Sequence, residues 1–227
     1  MREPLEFTGE ERAEDAEFYR TYGPWEPLDV EGARAFLDGF ERPWWLVGGY
    51  AIEAFTGALR EHEDIDVSVL ACDAPLLREH VGDRWHLWTN VSGRIRPMTE
   101  RWPDLPEPDC QIWVRRDALS PWVMDIPVTP DVDGRWQNKR LPDHVLPLEE
   151  ATWVTDEGVR VLNPEIVLLF KSTNGRPKDR RDFERALPLL DPGPRRWLRD
   201  AIGRLRPDHP WLTRFGTDEV PDTSDQP

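Results

Sequence analysis

Apolar residues recur along this chain with two different spacings, one helical and one strand-like. Asp29 stands before a segment with apolar residues at helical spacing and is a candidate helix N-cap. Residues 44–47 (WWLV) then form a short apolar run, as expected of a buried strand, and Gly48 and Gly49 follow as its turn. Small and aromatic side chains recur at helical spacing over 50–58. The pattern predicts a strand–Gly-Gly–helix unit.

The next segment has the alternation of a half-buried strand. In residues 64–70 (DIDVSVL), apolar β-branched side chains alternate strictly with polar ones. Asp64, Asp66 and Ser68 therefore share one face of the predicted strand. Both carboxylates should point the same way.

The middle of the chain is predicted to be rich in strands. Apolar and β-branched residues indicate strands over 85–89, 110–114, 122–128 and 135–139, and a proline- and charge-rich loop covers 97–109. We expect the sheet to be mixed or largely antiparallel here.

The C-terminal third is predicted to be helical. Asn163, followed by a proline and an acidic residue, is a strong helix start. Helical spacing predicts helices at 163–173, 177–190 and 193–205. Together they form a helical lobe.

The charge of the chain limits its partners. The formal net charge is -15. Residues 1–27 hold eight acidic and three basic side chains, and residues 214–227 hold four and one, which leaves -7 on the rest. An acidic body repels phosphate backbones. Nucleic acid is therefore an unlikely partner, whereas a small cationic substrate is attracted.

Cysteine content and hydropathy set the expected compartment. Cys72 and Cys110 are the only cysteines, so neither a disulfide framework nor a structural zinc site is indicated. No apolar run approaches the roughly 18 residues that span a membrane, and the acidic N-terminus lacks signal-peptide features. We expect a cytoplasmic monomer or weak dimer that does not bind membranes.

Asp64 and Asp66 have the spacing that two-metal phosphoryl transfer requires. Two hard cations about 4 Å apart activate the attacking oxygen and the leaving phosphate, and Mg²⁺ prefers oxygen ligands. Asp125, on the predicted strand 122–128, supplies a third carboxylate and a candidate general base if that strand lies alongside. The alternative is that the two aspartates only form a solvated strand face.

Gly48 and Gly49 fit the same chemistry. A glycine pair at a strand-to-helix turn lets the backbone approach phosphate, and the following helix N-terminus offers free N–H groups. Taken alone, a Gly-Gly turn is more consistent with a purely structural role.

Residues 45–67 (WLVGGYAIEAFTGALREHEDIDV) resemble the signature of the DNA polymerase beta nucleotidyltransferase superfamily. The similarity is closest to its aminoglycoside 2''-O-nucleotidyltransferase branch. It implies ATP or another NTP as donor and two Mg²⁺ ions held by Asp64, Asp66 and Asp125. Members of that branch have a further acid two residues after the third carboxylate, where this chain has Pro127.

The resemblance also implies an α+β nucleotidyltransferase fold, a small mixed β-sheet flanked by helices, with a helical C-terminal lobe. We divide the chain into an acidic, solvated lead-in helix (1–27), a catalytic domain (28–155), the helical lobe (156–214) and a disordered tail (215–227).

Lysine is rare in this arginine-rich chain, and only Lys139, Lys171 and Lys178 are present. The segment that carries the last two resembles the helical segment that abuts the nucleotide in several bacterial nucleotidyltransferases, some toxin components among them. We expect Lys171 to contact the triphosphate. Lys178 is either a second nucleotide contact or the partner of Asp182 in an i, i+4 salt bridge.

Two further side chains have open roles. His62 precedes the strand and is expected to orient the turn or to hydrogen-bond Asp64. The twelve tryptophans are mostly core residues, but Trp136 is a candidate for stacking on a base or sugar.

The resemblance predicts transfer of a nucleoside monophosphate, AMP from ATP first of all, onto a hydroxyl of a small acceptor. The acceptor is expected to be cationic and aminoglycoside-like. The alternatives are a nucleotide-binding regulatory protein without turnover and a toxin-like enzyme that modifies tRNA or protein.

Overall fold

The computed structural model describes residues 9–215, and short strands alternate with helices along this range. Its α-helices are α1 (Gly9–Tyr22), α2 (Val30–Phe36), α3 (Gly48–Thr56), α4 (Ala74–Val81), α5 (Leu148–Ala151), α6 (Pro164–Lys171), α7 (Pro177–Ala186) and α8 (Pro192–Leu205). Its strands are β1 (Trp45–Leu46), β2 (Val67–Ser68), β3 (His86–Val91), β4 (Arg94–Pro97), β5 (Gln111–Arg115), β6 (Trp122–Pro127), β7 (Asp131–Val132), β8 (Arg135–Gln137), β9 (Val145–Leu146), β10 (Thr152–Val154) and β11 (Arg160–Leu162).

The strands of this range form three sheets, in the orders β10-β11-β1-β2, β4-β3-β5-β6 and β7-β8-β9. In the first sheet, β1 is parallel to β11 and antiparallel to β2. Isolated bridges from Asp66 to Asp125 and from Leu70 to Thr129 connect the first sheet to the second, and we call this junction the seam. The predicted α+β class with a mixed sheet is confirmed.

The segment predicted as one strand over 64–70 is regular only at Val67–Ser68. It pairs with β1 on one side and meets β6 through the bridges of the seam, because it connects two sheets rather than extending one. The predicted alternation still holds for the apolar face, since Ile65, Val67 and Val69 are all 0% exposed.

Five strands were not predicted from the sequence: β4, β7, β9, β10 and β11. Each has only two to four residues, which is too short for an alternating pattern to be recognised. One of them matters for the site, because β11 is the parallel neighbour of β1 at Leu46 and Val161.

Most predicted helix ends are confirmed. Asp29 caps α2, and its Oδ1 accepts a hydrogen bond from the Gly32 N–H at 2.8 Å. α3 ends before Gly57, which adopts φ 68, and α6 begins at Pro164. No helix between residues 9 and 215 has the length and apolar composition of a membrane span.

Helix α1 differs from the expectation of a solvated lead-in helix. The rings of Phe18 and Tyr22 lie 5.7 and 5.4 Å from the ring of Trp113, on β5. The Trp122 indole N–H donates to the Tyr22 carbonyl at 2.7 Å, and the Tyr22 hydroxyl donates to the Gly93 carbonyl at 2.9 Å. α1 is therefore docked on the second sheet.

The helical C-terminal lobe has its own aromatic centre. Phe183 stacks on Trp211 with a ring-centroid distance of 4.1 Å. Phe215, the first residue of the predicted tail, is 4% exposed and packs near Phe183. Residues 216–227 of that predicted tail lie outside the described residues.

A buried ion network fixes α7 against α6. Lys171 Nζ lies 2.8 Å from Asp179 Oδ1 and 2.8 Å from Asp182 Oδ2. Arg60 donates to Asp182 through Nε and Nη2, both at 3.2 Å, and Arg176 Nε lies 3.0 Å from Asp179 Oδ2. Burial alone would raise the pKa of Asp179, but Lys171 and Arg176 hold it below its ordinary value.

The prediction that Lys178 forms an i, i+4 salt bridge with Asp182 is wrong. Asp182 is 2% exposed and its carboxylate faces inward, where Arg60 and Lys171 bind it. Lys178 Nζ instead pairs with Glu63 Oε2 at 2.7 Å. Helical spacing alone does not reveal that one face of α7 is buried.

Asp179→Ala should lower the free energy of unfolding by about 3–5 kcal/mol, because Lys171 keeps its buried charge but loses a partner. Urea denaturation measures this change. The matched control on the same helix is Glu184→Ala, whose exposed carboxylate lies 3.7 Å from Arg214 and should contribute less than about 1 kcal/mol. Equal losses in the two variants would contradict a stabilising role for the buried ion network.

Candidate functional site

A cavity of about 300 Å³ opens where the seam, the start of α3 and the helices α6 and α7 meet. Six of the seven predicted site residues come from these elements, and all seven line it: Gly48, Gly49, Asp64, Asp66, Asp125, Lys171 and Lys178. We call this cavity the donor cavity.

Side chains fill the space next to both glycines at the start of α3. Gly48 has φ 62, and a Cβ there would collide with the Asp66 carboxylate. A Cβ on Gly49 would collide with the Arg60 guanidinium and come within 2.7 Å of His62 Nδ1. The backbone of the Gly48 turn therefore lies next to the Asp66 carboxylate. The N-terminus of α3 faces the same cavity.

The carboxylates of Asp66 and Asp125 come together at the seam. The two residues form a parallel bridge, and the Asp125 N–H donates to the Ile65 carbonyl at 3.2 Å. Asp125 is 6% exposed, and its Oδ2 accepts from Gln111 Nε2 at 2.6 Å. Its Oδ1 is buried and has no hydrogen-bond partner within residues 9–215. One oxygen is held by the protein and the other is left for a ligand.

Burial and neighbouring negative charge both disfavour the ionised form of these carboxylates. Burial first, and then the charge of Asp64, raise the pKa of Asp66 to about 7, although nearby lysines oppose the shift. Burial followed by the charges of Asp66 and Asp64 raises the pKa of Asp125 well above its ordinary value. The site is therefore electrostatically suited to bind a cation.

The carboxylates suit Mg²⁺ only as partial ligands. No three His, Cys, Asp or Glu side chains in the described part of the chain form a ready-made metal cage. Mg²⁺ commonly takes one or two protein carboxylates and completes its octahedron with water and substrate phosphates. The like-charged carboxylates of Asp64, Asp66 and Asp125 fit an ion that binds together with phosphate.

All three lysines of the chain line the donor cavity. Lys171 and Lys178 were predicted there, and Lys139 was not assigned to the site. The Lys139 ammonium lies 5.1 Å from the Phe170 ring centroid. Burial and the charge of Arg140 lower its pKa, against the opposing charges of Asp125 and Asp66. The rarity of lysine was the sequence signal that could have included it.

His62 supports the turn. Its Nε2 lies 2.9 Å from Glu53 Oε2, and its ring stacks on Tyr50 at a centroid distance of 3.8 Å. Since its Nδ1 also approaches Gly49, the ring holds the start of α3 in place.

Trp136, the candidate for base stacking, is 1% exposed. It packs in the hydrophobic core, with its ring 5.8 Å from that of His144. The stacking prediction is wrong, because a ring enclosed on β8 presents no face to a ligand.

A second cavity, of about 500 Å³, adjoins the first. The two share Glu63, Asp64, Gln111, Asp125 and Arg176. The opposite side of the second cavity is aromatic and comes from α1, the segment after it and β5. The carboxylates thus stand between a lysine-lined space and an aromatic one, and we call the second space the aromatic cavity.

Comparison with known proteins gives one family and two solved structures of interest. The family model for aminoglycoside-2''-adenylyltransferases matches residues 30–84, which include both glycines and the Asp64-x-Asp66 pair, and it confirms the resemblance of this segment. The crystal structure of ANT(2'')-Ia in complex with adenylyl-2''-tobramycin is 15% identical, with 77% of this chain and 95% of that chain covered and a TM-score of 0.47. The solution structure of the antibiotic-resistance factor ANT(2'')-Ia is 17% identical, with 77% and 89% covered and a TM-score of 0.47. No curated protein sequence matches the chain.

Asp66→Asn should stabilise the metal-free protein at high pH but not at low pH. The folded-state pKa of Asp66, about 7, exceeds the ordinary value of 3.8. The wild type therefore loses stability as pH rises through this interval, and the variant does not. We expect the variant to melt at least about 2–4 °C higher at pH 8 and no higher at pH 4.

Thermal unfolding monitored by circular dichroism checks this expectation. Asp156→Asn, which removes an exposed carboxylate, is the control and should change neither midpoint. Added Mg²⁺ should raise the wild-type midpoint more than that of Asp66→Asn. A variant that melts at or below the wild type at pH 8 would contradict the raised pKa of Asp66.

Proposed function

We propose that this chain, whose residues 30–84 match the aminoglycoside-2''-adenylyltransferase model, transfers a nucleoside monophosphate from an NTP to a hydroxyl of a small cationic acceptor. One observation carries the proposal. Asp64 and Asp125 line both the lysine-lined donor cavity and the adjoining aromatic cavity. This is the arrangement expected of groups that act between a donor and an acceptor.

The donor side suits a triphosphate. Its lysines supply compact positive charges, and the N-terminus of α3 supplies N–H groups where Gly48 leaves room for close approach. Lys171 is already paired with Asp179 and Asp182, so we assign it a structural contribution as well as phosphate contact. Lys139 and Lys178 complete the set. ATP is the proposed donor.

Asp64, Asp66 and Asp125 are the proposed ligands of the metal ions. Bound Mg²⁺ would neutralise charge on the triphosphate and on the leaving pyrophosphate. Lys139, whose charge faces Asp66 and Asp125, balances the carboxylates from the protein side. Burial beside the negative charges of Asp66 and Asp64 raises the pKa of Asp125. The same neighbouring charges would attract a cation to this carboxylate.

Asp125 is the proposed general base. The acceptor hydroxyl oxygen forms a bond to the α-phosphorus, the bond to pyrophosphate breaks, and the hydroxyl proton passes to Asp125 Oδ1. Gln111 holds Oδ2 at 2.6 Å, which leaves Oδ1 oriented and unpartnered among the described residues. A carboxylate with a raised pKa is also a stronger base.

Pyrophosphate release with each NTP, against a panel of aminoglycosides, lincosamides and simple sugars, tests the activity. Asp125→Asn should lower turnover by about 10²- to 10⁴-fold, as expected for loss of a general base. Asp64→Asn and Asp66→Asn should also abolish transfer while the fold is retained. Asp156→Asn, on the surface, should keep wild-type rates. Acceptor labelling by the Asp64→Asn and Asp66→Asn variants at the wild-type rate would refute the site.

Gly48→Ala should abolish transfer because the new Cβ would collide with the Asp66 carboxylate. Gly57→Ala serves as the matched control. Gly48 and Gly57 have nearly equal φ angles, 62 and 68, so alanine strains both by about 1–2 kcal/mol. Only at Gly48 does the new Cβ collide with the Asp66 carboxylate, since nothing lies within 4 Å at Gly57.

The expected outcome is that both variants lose stability in urea denaturation and only Gly48→Ala loses pyrophosphate release. Comparable activity in the two would show that the contact between Gly48 and Asp66 is dispensable for the reaction.

A further inference from the structure

The amide that holds Asp125 is itself held by a second amide. Gln111 Nε2 donates to Asp125 Oδ2 at 2.6 Å, and Gln111 Oε1 accepts from Asn90 Nδ2 at 3.4 Å. Asn90 is 6% exposed, and its Oδ1 accepts from the Gly93 N–H at 2.9 Å. The Gly93 N–H, the two side-chain amides and the Asp125 carboxylate thus form one line of hydrogen bonds, which we call the amide relay.

The second sheet places the three side chains of the amide relay in a row. Asn90, Gln111 and Asp125 come from β3, β5 and β6, which are successive neighbours in this sheet. Asn90 and Gln111 lie directly opposite each other, and Asp125 lies opposite Trp113, two residues along β5 from Gln111. Residues two apart on a strand share a face, so all three side chains of the relay lie on one face of the sheet.

The two ends of the amide relay require the same orientation of both amides. The Gly93 N–H can only donate, so it takes the oxygen of the Asn90 side chain and leaves the Asn90 NH2 group for Gln111. The oxygen of a carboxylate accepts, so Asp125 takes the NH2 group of Gln111 and leaves the Gln111 oxygen for Asn90. A Gln111 amide rotated by 180° would be mismatched at both contacts. Its orientation is therefore specified from both sides.

The turn at the start of the amide relay is fixed by its backbone conformation and by α1. Ser92 and Gly93 have φ angles of 50 and 80, and they form the two-residue turn between β3 and β4. The Tyr22 hydroxyl donates to the Gly93 carbonyl at 2.9 Å. Gly93 is therefore held through both its N–H and its carbonyl.

We infer that Asn90 and Gln111 are positioning residues for Asp125, and that the amide relay determines which oxygen of this carboxylate faces the reacting groups. The inference rests on the proposed function. Asp125 Oδ1 is buried and has no hydrogen-bond partner within residues 9–215, whereas rotation of the carboxylate would break the bond from Gln111 to Oδ2. Both amides are neutral, so they orient the carboxylate without adding a charge that would compete with a bound cation. Neither amide acts on the substrate directly.

Steady-state pyrophosphate release by the full-length chain, with ATP and tobramycin as probes, tests the amide relay. Gln111→Met keeps the length of the side chain without the amide, and we expect kcat to fall about 10- to 100-fold, as for a misplaced reacting group. Asn90→Leu should lower kcat about tenfold and change the KM for ATP less than about twofold, because Asn90 does not line the donor cavity. Wild-type kcat in Gln111→Met overturns the relay and leaves the transferase intact.

A double-mutant cycle shows whether Asn90 acts through Gln111. Once the Gln111 amide is gone, Asn90 has nothing to orient, so kcat of Asn90→Leu/Gln111→Met should lie within about twofold of Gln111→Met alone. Multiplied losses would overturn the relay. Thr89→Val is the matched control on β3, since it removes a buried hydrogen bond to the Arg96 carbonyl on the other face of the sheet. It should keep wild-type kcat, and a loss equal to that of Asn90→Leu would overturn the assignment of Asn90.

Asn90→Asp tests the orientation of the amides with a side chain of the same shape. Its carboxylate still accepts from the Gly93 N–H but cannot donate to Gln111, so the Gln111 amide should rotate and turn its oxygen towards Asp125. We expect kcat to fall at least as far as in Asn90→Leu. Wild-type kcat in Asn90→Asp would overturn the relay.

Nuclear magnetic resonance of the protein without nucleotide or metal distinguishes failure of this inference from failure of the proposed function. The side-chain NH2 resonances of Gln111 are assigned by their absence from Gln111→Met. One of them should be shifted downfield and exchange slowly with solvent, because its proton is bonded to a carboxylate at 2.6 Å. Asn90→Leu and Asn90→Asp should lose this shift and Thr89→Val should keep it. That pattern supports the relay even if the wild type transfers no nucleotide. An unshifted wild-type resonance, or the same resonance in all these variants, overturns it.

Discussion

The contact between the Gly48 backbone and the Asp66 carboxylate determines how the rest of the site is arranged. Gly48 has no Cβ, and a Cβ there would collide with the Asp66 carboxylate. β1 and the segment of β2 can therefore lie close enough for the N-terminus of α3 to face this carboxylate directly. The bridge from Asp66 to Asp125 then brings a second carboxylate from another sheet. Ile65, Val67 and Val69 are fully buried, so the backbone that carries Asp64 and Asp66 is anchored in the core.

The two lobes are connected through charges rather than through apolar contacts alone. Arg60, which precedes the seam, and Lys171, at the end of α6, bind the same carboxylate of α7. The Arg60 side chain also fills the space beside Gly49. The start of α3 and the position of α7 are therefore fixed by one guanidinium, and the lysine-lined wall of the donor cavity keeps its place relative to the aspartates.

Local patterns in the sequence predicted the parts of the site that depend on local geometry. Strand alternation gave Asp64 and Asp66 a common face, and the strand at 122–128 supplied Asp125 next to them across the seam. Docking of α1 was not predicted, because its partner Trp113 lies about ninety residues away and an acidic helix shows no apolar stripe. Lys139 was predicted to lie on the strand 135–139, but β8 ends at Gln137 and Lys139 stands in the irregular segment after it, so strand alternation did not place its side chain. The tryptophan content could not distinguish Trp136, in the core, from Trp113, at a cavity wall.

The distribution of lysine has a practical consequence for chemical modification. Every side-chain amine of this 227-residue chain belongs to one cavity, while the other basic side chains are guanidiniums. Among side-chain amines, acylating reagents that spare guanidinium can therefore modify only this cavity, without any affinity group. Burial and the charge of Arg140 lower the pKa of the Lys139 ammonium, which favours its reactive, neutral amine form.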